Sequence, residues 1–375
     1  MSTTLVFAAI SFAGWAFFLY PYLGYPILLR AFPKRSVNSG PLACPVSLLF
    51  CAYNERASLP EKADNLRALC SRTPDLQILV FDDGSTDGTS EFLAALGDLV
   101  TVVTGAGRTG KAAGMKQLAR RATGDILVFT DANVILADDA IERLLPYYAD
   151  TEVGGVCGTL RYIVDAESST SRVGAEYWAR DERLRSLESA TGNVVGADGS
   201  IFSIRKALYP DFPDTVLDDF TVSMSAIFAG KRLIKAPDVV AFEKSVAVRR
   251  DELRRKVRIG ARAYHTHRYL RPQVRRMAGV DRVKYYSRKV ARWFGGFFLS
   301  IGIVFAILAL AMLSPLAAAV VTLAGAAAFA IATRTRMGAL ARLGEIVMAV
   351  FATSYGIYLG MRGRTFVTWA PAASR

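Results

Sequence analysis

Long stretches of this 375-residue chain carry no charge at all. Neither Leu5–Leu29 nor Trp293–Thr333 contains a charged residue. Each window exceeds the roughly 20 apolar residues that one membrane crossing requires. With 52% hydrophobic residues and a mean hydropathy of +0.27, the composition excludes an ordinary water-soluble domain. The second window is interrupted at Ser314-Pro315 and reads as two crossings joined by a tight turn. A further candidate, Ile346–Met361, is shorter. The first window has no basic segment before it and no small-residue cleavage site, so it is expected to stay as a membrane helix.

Other absences narrow the chemistry. The four cysteines (Cys44, Cys51, Cys70 and Cys157) form no CxxC pair and show no metal-binding spacing. This excludes a disulfide framework and fits buried thiols in a reducing compartment. The only histidines, His265 and His267, do not share a helix face and receive no role. There is no internal repeat and no low-complexity tract. The segment "GAGRTGKA" (Gly105–Ala112) matches a P-loop except at its last position. A P-loop needs a hydroxyl there to hold magnesium, and Ala112 has none. A P-loop NTPase would also leave Asp82-Asp83 and the later motifs without use. The turn is read instead as pliable backbone that brings Lys111 close to phosphates.

Positive charge is abundant. Lys and Arg number 46 against 33 Asp and Glu, a net charge of +13. The surplus lies beside the apolar windows, at Arg30, Lys34 and Arg35 and along Arg249–Arg292. Basic residues so placed suit lipid headgroups or phosphate-bearing substrates, and no nucleic-acid partner is expected. They also put the central region in the cytoplasm and the N-terminus outside.

From Pro45 to Gly158 the pattern alternates strand and helix, with strands over Val46–Cys51, Gln77–Phe81, Leu99–Val103 and Ile126–Phe129. The alternation predicts a mostly parallel sheet covered by helices on both faces. The strands end on polar groups: Ala52-Tyr53-Asn54-Glu55, Asp82-Asp83 and Asp131. Ligands of such sheets bind at the carboxyl ends of the strands. One acid there is as often a helix cap; three in succession form a pole. Asp83 suits a base or ribose. Asp131 and Asn133, two apart across a turn, suit a divalent ion on a diphosphate. Later, Asp218-Asp219 opens a helix whose apolar face includes Val222, Ile227 and Phe228. Arg255 and Arg258 share one face of a basic helix, and guanidinium forks suit a departing diphosphate.

The ordered set "CAYNE", "VFDDGSTDGT", "GRTGKAAGM", "FTDAN", "GADGSIFSIRKALY", "LDDF" and "RRKVRI" resembles the membrane-bound family 2 glycosyltransferases of bacterial polysaccharide assembly. The resemblance implies an α/β, Rossmann-like GT-A catalytic domain flanked by transmembrane helices. The expected divisions are an N-terminal membrane helix and flank (1–35), the catalytic domain (36–248), a basic interfacial helical region (249–292) and C-terminal membrane helices with a tail (293–375). It further implies that Ala52, Tyr53, Glu55, Asp83 and Lys111 line the nucleotide site. Asp131 and Asn133 take the DxD position that holds Mg²⁺ or Mn²⁺, with Asp131 also facing the donor. Asp219 matches the catalytic base, and Arg255 and Arg258 the diphosphate grip. Asp198, Gly199 and Asp218 fall on the acceptor side.

Two positions depart from the family pattern. Asn133 replaces an acid, and Ile259 stands where chain-extending members carry Trp. The expected activity is inverting transfer from a nucleotide-sugar, a UDP-sugar, to a polyprenyl-(di)phosphate-linked saccharide at a bacterial inner membrane, one sugar per encounter. The alternatives are a processive synthase, told apart by product length, and a catalytically silent nucleotide-sugar sensor or scaffold, told apart by donor hydrolysis.

Overall fold

The computed structural model describes residues 3–164, 168–245, 248–335 and 338–368. Its first apolar window is not one helix. Helix α1 (Thr3–Leu19) and helix α2 (Gly24–Arg30) meet at 57°. Pro21 lies at the break and has no N–H to continue the helical ladder. A hydropathy reading of Leu5–Leu29 cannot see that bend.

Strand β1 (Val46–Ala52) is buried along its whole length. It pairs in parallel with β2 (Gln77–Asp82) on one side and with β4 (Ile126–Thr130) on the other, while β3 (Thr101–Thr104) extends the sheet beyond β2. Continuous apolar runs are what strands covered on both faces require. Alternate residues of β1 serve two cores: Leu49 and Cys51 pack with Phe81, Met115 and Phe202, while Leu48 and Phe50 pack with Leu66, Leu69 and Val80. The connections are α3 (Leu59–Arg72), α4 (Thr89–Ala94) and α5 (Lys111–Arg121).

The second half adds β5 (Val134–Leu136), β6 (Val153–Ile163), β7 (Ile201–Arg205) and β8 (Arg232–Lys244), giving the order β3-β2-β1-β4-β7-β6-β8-β5. Strand β7 runs antiparallel to β4 and β6, β8 parallel to β6, and β5 antiparallel to β8. Helices α6 (Ala140–Leu144), α7 (Ser169–Ala190), α8 (Asp218–Phe228), α9 (Arg249–Arg276), α10 (Gly279–Tyr285) and α11 (Ala291–Trp293) accompany them.

Three further helices are long and apolar enough to cross a membrane: α12 (Gly295–Leu313), α13 (Pro315–Arg334) and α14 (Ala339–Met361); the bent α1–α2 pair is a fourth candidate. The expected turn at Ser314-Pro315 is present. Ser314 Oγ accepts from Ala317 N at 3.2 Å, capping α13, and Pro315 takes the first helical position, where its missing N–H costs nothing. Helix α1 packs antiparallel to α12, with Phe17 stacked on Phe298 and Phe7 edge-on to Phe305.

A buried ionic network joins the N-terminal segment to the catalytic sheet. Arg288, 2% exposed, sits 2.6 Å from Asp181 and also pairs with Glu188. Arg292 lies 2.7 Å from the other oxygen of Asp181. Tyr25 of α2 donates to Glu188 at 2.6 Å. Lys284 donates to the Glu188 and Thr191 carbonyls. Burial would raise the Asp181 carboxyl, but Arg288, Arg292 and Arg185 outweigh it and hold it well below the usual range. Arg288→Ala removes the cation shared by two buried carboxylates, Asp181 and Glu188, so thermal denaturation in detergent should report a loss of about 3–5 kcal/mol. Arg35→Ala, which breaks an exposed pair with Glu152, should cost no more than about 1 kcal/mol. Equal effects would remove the network from its structural role.

Candidate active site

The carboxyl ends of β1, β2 and β4 converge on Lys111, the first residue of α5. Its Nζ is 2.5 Å from Asp131 Oδ1 and 3.8 Å from Asp218 Oδ2. Asp218 and Asp219 open α8. A Cβ placed on Gly199 would lie 3.0 Å from Lys111 Nζ, 3.5 Å from Asp131 Oδ2 and 3.7 Å from Asp219 Oδ2. Lys111, Asp131 and Asp219 therefore border one spot, and Gly199 leaves room in it. Burial alone would lower the Lys111 ammonium, but Asp131, Asp218 and Asp219 outweigh it and its pKa is raised. Desolvation, with Asp218 alongside, pushes the Asp219 carboxyl up to about 6, while Lys111 and the Phe220 N–H pull the other way.

Helix α9 holds the acidic turn in place. Arg262 donates to the Val216 carbonyl and lies 3.6 Å from Asp218 Oδ1; Thr266, one turn on, accepts from Leu217 N at 2.8 Å. The sequence reading missed both. Their four-residue spacing puts them on one helix face, but their partners are backbone groups about fifty positions away.

Asp83 is fully buried, 0% exposed. Its carboxylate accepts from Thr109 N at 2.6 Å, Thr109 Oγ1 at 3.0 Å and Gly110 N at 3.0 Å. It thus organises the loop before Lys111. Arg108 of that loop stacks on Tyr53 at 3.3 Å and lies 3.5 Å from Asp83. Ala52 closes the floor, its carbonyl accepting from Asp83 N at 3.0 Å. Glu55 is turned to the start of α3, where it accepts from Ser58 at 3.3 Å. Gly110 has φ +91, and a Cβ there would sit 2.6 Å from the Val367 carbonyl. The C-terminal segment therefore returns to this loop, and on the way the Arg364 carbonyl meets His265 Nε2 at 2.9 Å.

The remaining expected residues are less central. The Asn133 Nδ2 donates to Glu243 on β8 at 3.1 Å. Arg255 bonds Tyr162 and lies 3.7 Å from Glu252, with Glu243 in electrostatic range. Arg258 follows one turn later, beside the exposed Ile259. Asp198 pairs with Arg185 at 2.7 Å and accepts from Ser200 N at 3.2 Å. Burial would raise its carboxyl, but Arg185 outweighs it and the pKa is lowered. Among the described residues no three His, Cys, Asp or Glu side chains form a group able to hold a metal by themselves.

Residues 47–212 match the family model described as glycosyl transferase family 2. Over this segment the chain is similar to family 2 glycosyltransferases. Over 174 residues it is 29% identical to an N-acetylglucosaminyltransferase of Azorhizobium caulinodans, covering 44% of this chain and 43% of that protein. Over 132 residues it is 30% identical to a beta-monoglucosyldiacylglycerol synthase of Nostoc sp., covering 34% and 28%. Over 121 residues it is 30% identical to an undecaprenyl-phosphate 4-deoxy-4-formamido-L-arabinose transferase of Aeromonas hydrophila, covering 31% and 36%. The chain thus spans less than half the length of these curated relatives. Its fold is similar to that of a solved mannosyltransferase of Pyrobaculum calidifontis, PcManGT, bound to GDP-Man and Mn²⁺. The TM-score is 0.74 at 23% identity, over 94% of this chain and 99% of that one. The fold is a mixed, mostly parallel α/β sheet of the GT-A type.

The charge cluster predicts its own titration. Asp218→Asn removes a neighbouring negative charge and lowers the Asp219 pKa from about 6. Lys111→Gln removes a positive one and raises it. Carboxyl ¹³C shifts followed through a pH titration should move in these opposite directions, and a shared direction would disprove the coupling.

Proposed function

We propose that the protein is an inverting glycosyltransferase. It moves a hexosyl or N-acetylhexosaminyl group from a UDP-sugar to a polyprenyl-(di)phosphate-linked saccharide on the cytoplasmic face of a bacterial inner membrane, in envelope glycan or exopolysaccharide synthesis. The observation that carries this reading is the cluster of Asp131, Asp218 and Asp219 around Lys111 at the strand ends. The names of the Azorhizobium and Aeromonas relatives, an N-acetylglucosaminyltransferase and an undecaprenyl-phosphate sugar transferase, support it. So do the apolar helices, which would hold the site at the bilayer.

In this reading Asp219 takes the proton of an acceptor hydroxyl. The hydroxyl oxygen forms a bond to the anomeric carbon as the bond to the diphosphate breaks on the opposite face. The leaving electron pair stays on the diphosphate, whose charge Lys111, Arg255 and Arg258 offset. Asp83 and Tyr53 frame the nucleoside. The carboxylate of Asp131 already meets a cation, the Lys111 ammonium. Glu243 takes the N–H end of the Asn133 amide, which leaves its oxygen as the end able to ligate. These residues fit Mg²⁺ or Mn²⁺, with diphosphate and water completing the shell. When bound, the ion stabilises the negative charge of the leaving group.

Donor hydrolysis and transfer with a nucleotide-sugar panel test the activity; no turnover with any donor would reject it. Asp219→Asn should keep donor affinity in calorimetry while turnover falls by roughly 10²–10⁴. Because the base works only when ionised, kcat/KM should fall as pH drops below about 6. UDP affinity in calorimetry should weaken in excess EDTA, and unchanged affinity would remove the metal. Mass spectrometry of products should show a single added sugar, since Ile259 offers a smaller stacking platform than Trp. A ladder of long products would make the enzyme processive.

A further inference from the structure

Helix α14 passes the length and hydropathy criteria for a membrane crossing, yet both of its ends touch the catalytic domain. Near its start, Glu345 is buried and takes Arg249 Nε of α9 at 2.6 Å and Thr170 Oγ1 of α7 at 3.1 Å. Arg342 lies 3.4 Å from Glu176 of α7. Past its end, the Arg364 carbonyl meets His265 of α9, and Val367 lies against Gly110 beside Asp83. Between these points α14 runs alongside α9 in the same direction. A Cβ on Gly260 would be 2.6 Å from the Thr353 carbonyl, and one on Gly360 2.8 Å from the Ala261 carbonyl; Gly356 faces Val257 at similarly close range. A helix of 23 residues is roughly 35 Å long. If it crossed the roughly 30 Å hydrocarbon core, its ends could not both rest on one domain outside the bilayer. Its partner α9 is also rich in arginine, and arginine is costly in hydrocarbon.

The α12–α13 hairpin gives the same answer. Ser354 of α14 accepts from Gly296 N and donates to the Trp293 carbonyl, both at 3.0 Å, at the foot of α12. Gly344 meets Ala332 in the last turns of α13, with a hypothetical Cβ 3.1 Å away. Midway up α12 the neighbour is α1: Ser11 donates to the Gly302 carbonyl at 2.8 Å. These contacts put α14 beneath the feet of the hairpin rather than beside its shafts.

We infer that α14 is not a crossing. It lies in the plane of the bilayer on the side that carries the catalytic domain, with lipid covering its open face. That face carries Leu343, Phe351, Tyr355, Tyr358 and Met361, each more than 40% exposed, and Tyr358 and Met361 line one groove with Phe297 of the apolar α12. Tyrosine at headgroup depth is the usual arrangement for a helix of this kind. The crossings are then α1, α12 and α13. Arg334, Arg342, Arg362 and Arg364 all fall on the side of the basic α9, in keeping with the positive-inside rule. A crossing α14 would have placed Arg362 and Arg364 opposite. The inference uses no catalytic argument, so it survives or fails independently of the transferase reading.

The test is sidedness and depth in the full chain, with Cys44 and Cys70 replaced. In sealed vesicles, a membrane-impermeant maleimide should label Arg362→Cys to the same fraction as Asp98→Cys in the catalytic domain, and Thr3→Cys in the opposite pattern. A bimane probe on Phe351→Cys should be quenched most by lipids with a nitroxide near the headgroup. The same probe on Leu323→Cys in α13 should be quenched most by a nitroxide at the bilayer centre. Labelling of Arg362→Cys together with Thr3→Cys, or strongest quenching of Phe351→Cys from the centre, would overturn the assignment. Absence of any lipid quenching at Phe351→Cys would refute lipid as the covering partner.

Discussion

One ammonium group against three carboxylates sets the geometry of the catalytic pole. Lys111 opens α5, Asp131 follows β4, and Asp218 and Asp219 open α8. Without a cation among them the acids would repel one another in a medium of reduced dielectric, where such terms grow several-fold over water. Lys111 and, at the edge, Arg262 do not cancel the full negative charge. The pole therefore keeps a net negative charge.

The first four strands were legible because each is a short, mostly apolar run bounded by polar turns, and the observed bounds lie within two residues of those read from the sequence. Strands β6 and β8 were not. The first is interrupted by Gly154, Gly155 and Gly158, and the second mixes Lys235, Pro237 and Asp238 into its apolar residues, so neither shows a clean period. The acidic residues of the site were visible because charge at a strand end or helix start stands out locally. What holds them was not. Arg262 and Thr266 act on the backbone of residues 216 and 217, and a main-chain partner leaves no mark in a side-chain pattern. The hydrogen bond that orients the Asn133 amide was not legible either, because its acceptor, Glu243, lies more than a hundred positions away.

The apolar segments show a related limit. Hydropathy ranks α14 with α12 and α13 because it counts composition, whereas glycines at 260, 356 and 360 decide where α14 lies. Small residues let two backbones approach closely enough for dispersion contacts along their length. The pairing of α14 with a helix of the catalytic domain is thus written in residues that add little to any hydropathy sum.

The network around Arg288 bears on how the chain is made. Asp181 and Glu188 leave the ribosome about a hundred residues before Arg288 and Arg292, with which they pair. Until then Glu188 lacks Arg288, and Asp181 has only Arg185 of the three arginines that compensate its burial. The residues that follow at once are α12, the first span of the apolar hairpin. Completion of the network and synthesis of that hairpin therefore fall at nearly the same moment. A chain that ended before residue 281 would carry Lys111, Asp131, Asp218 and Asp219 and still lack Arg288 and Arg292, which pair with Asp181 and Glu188.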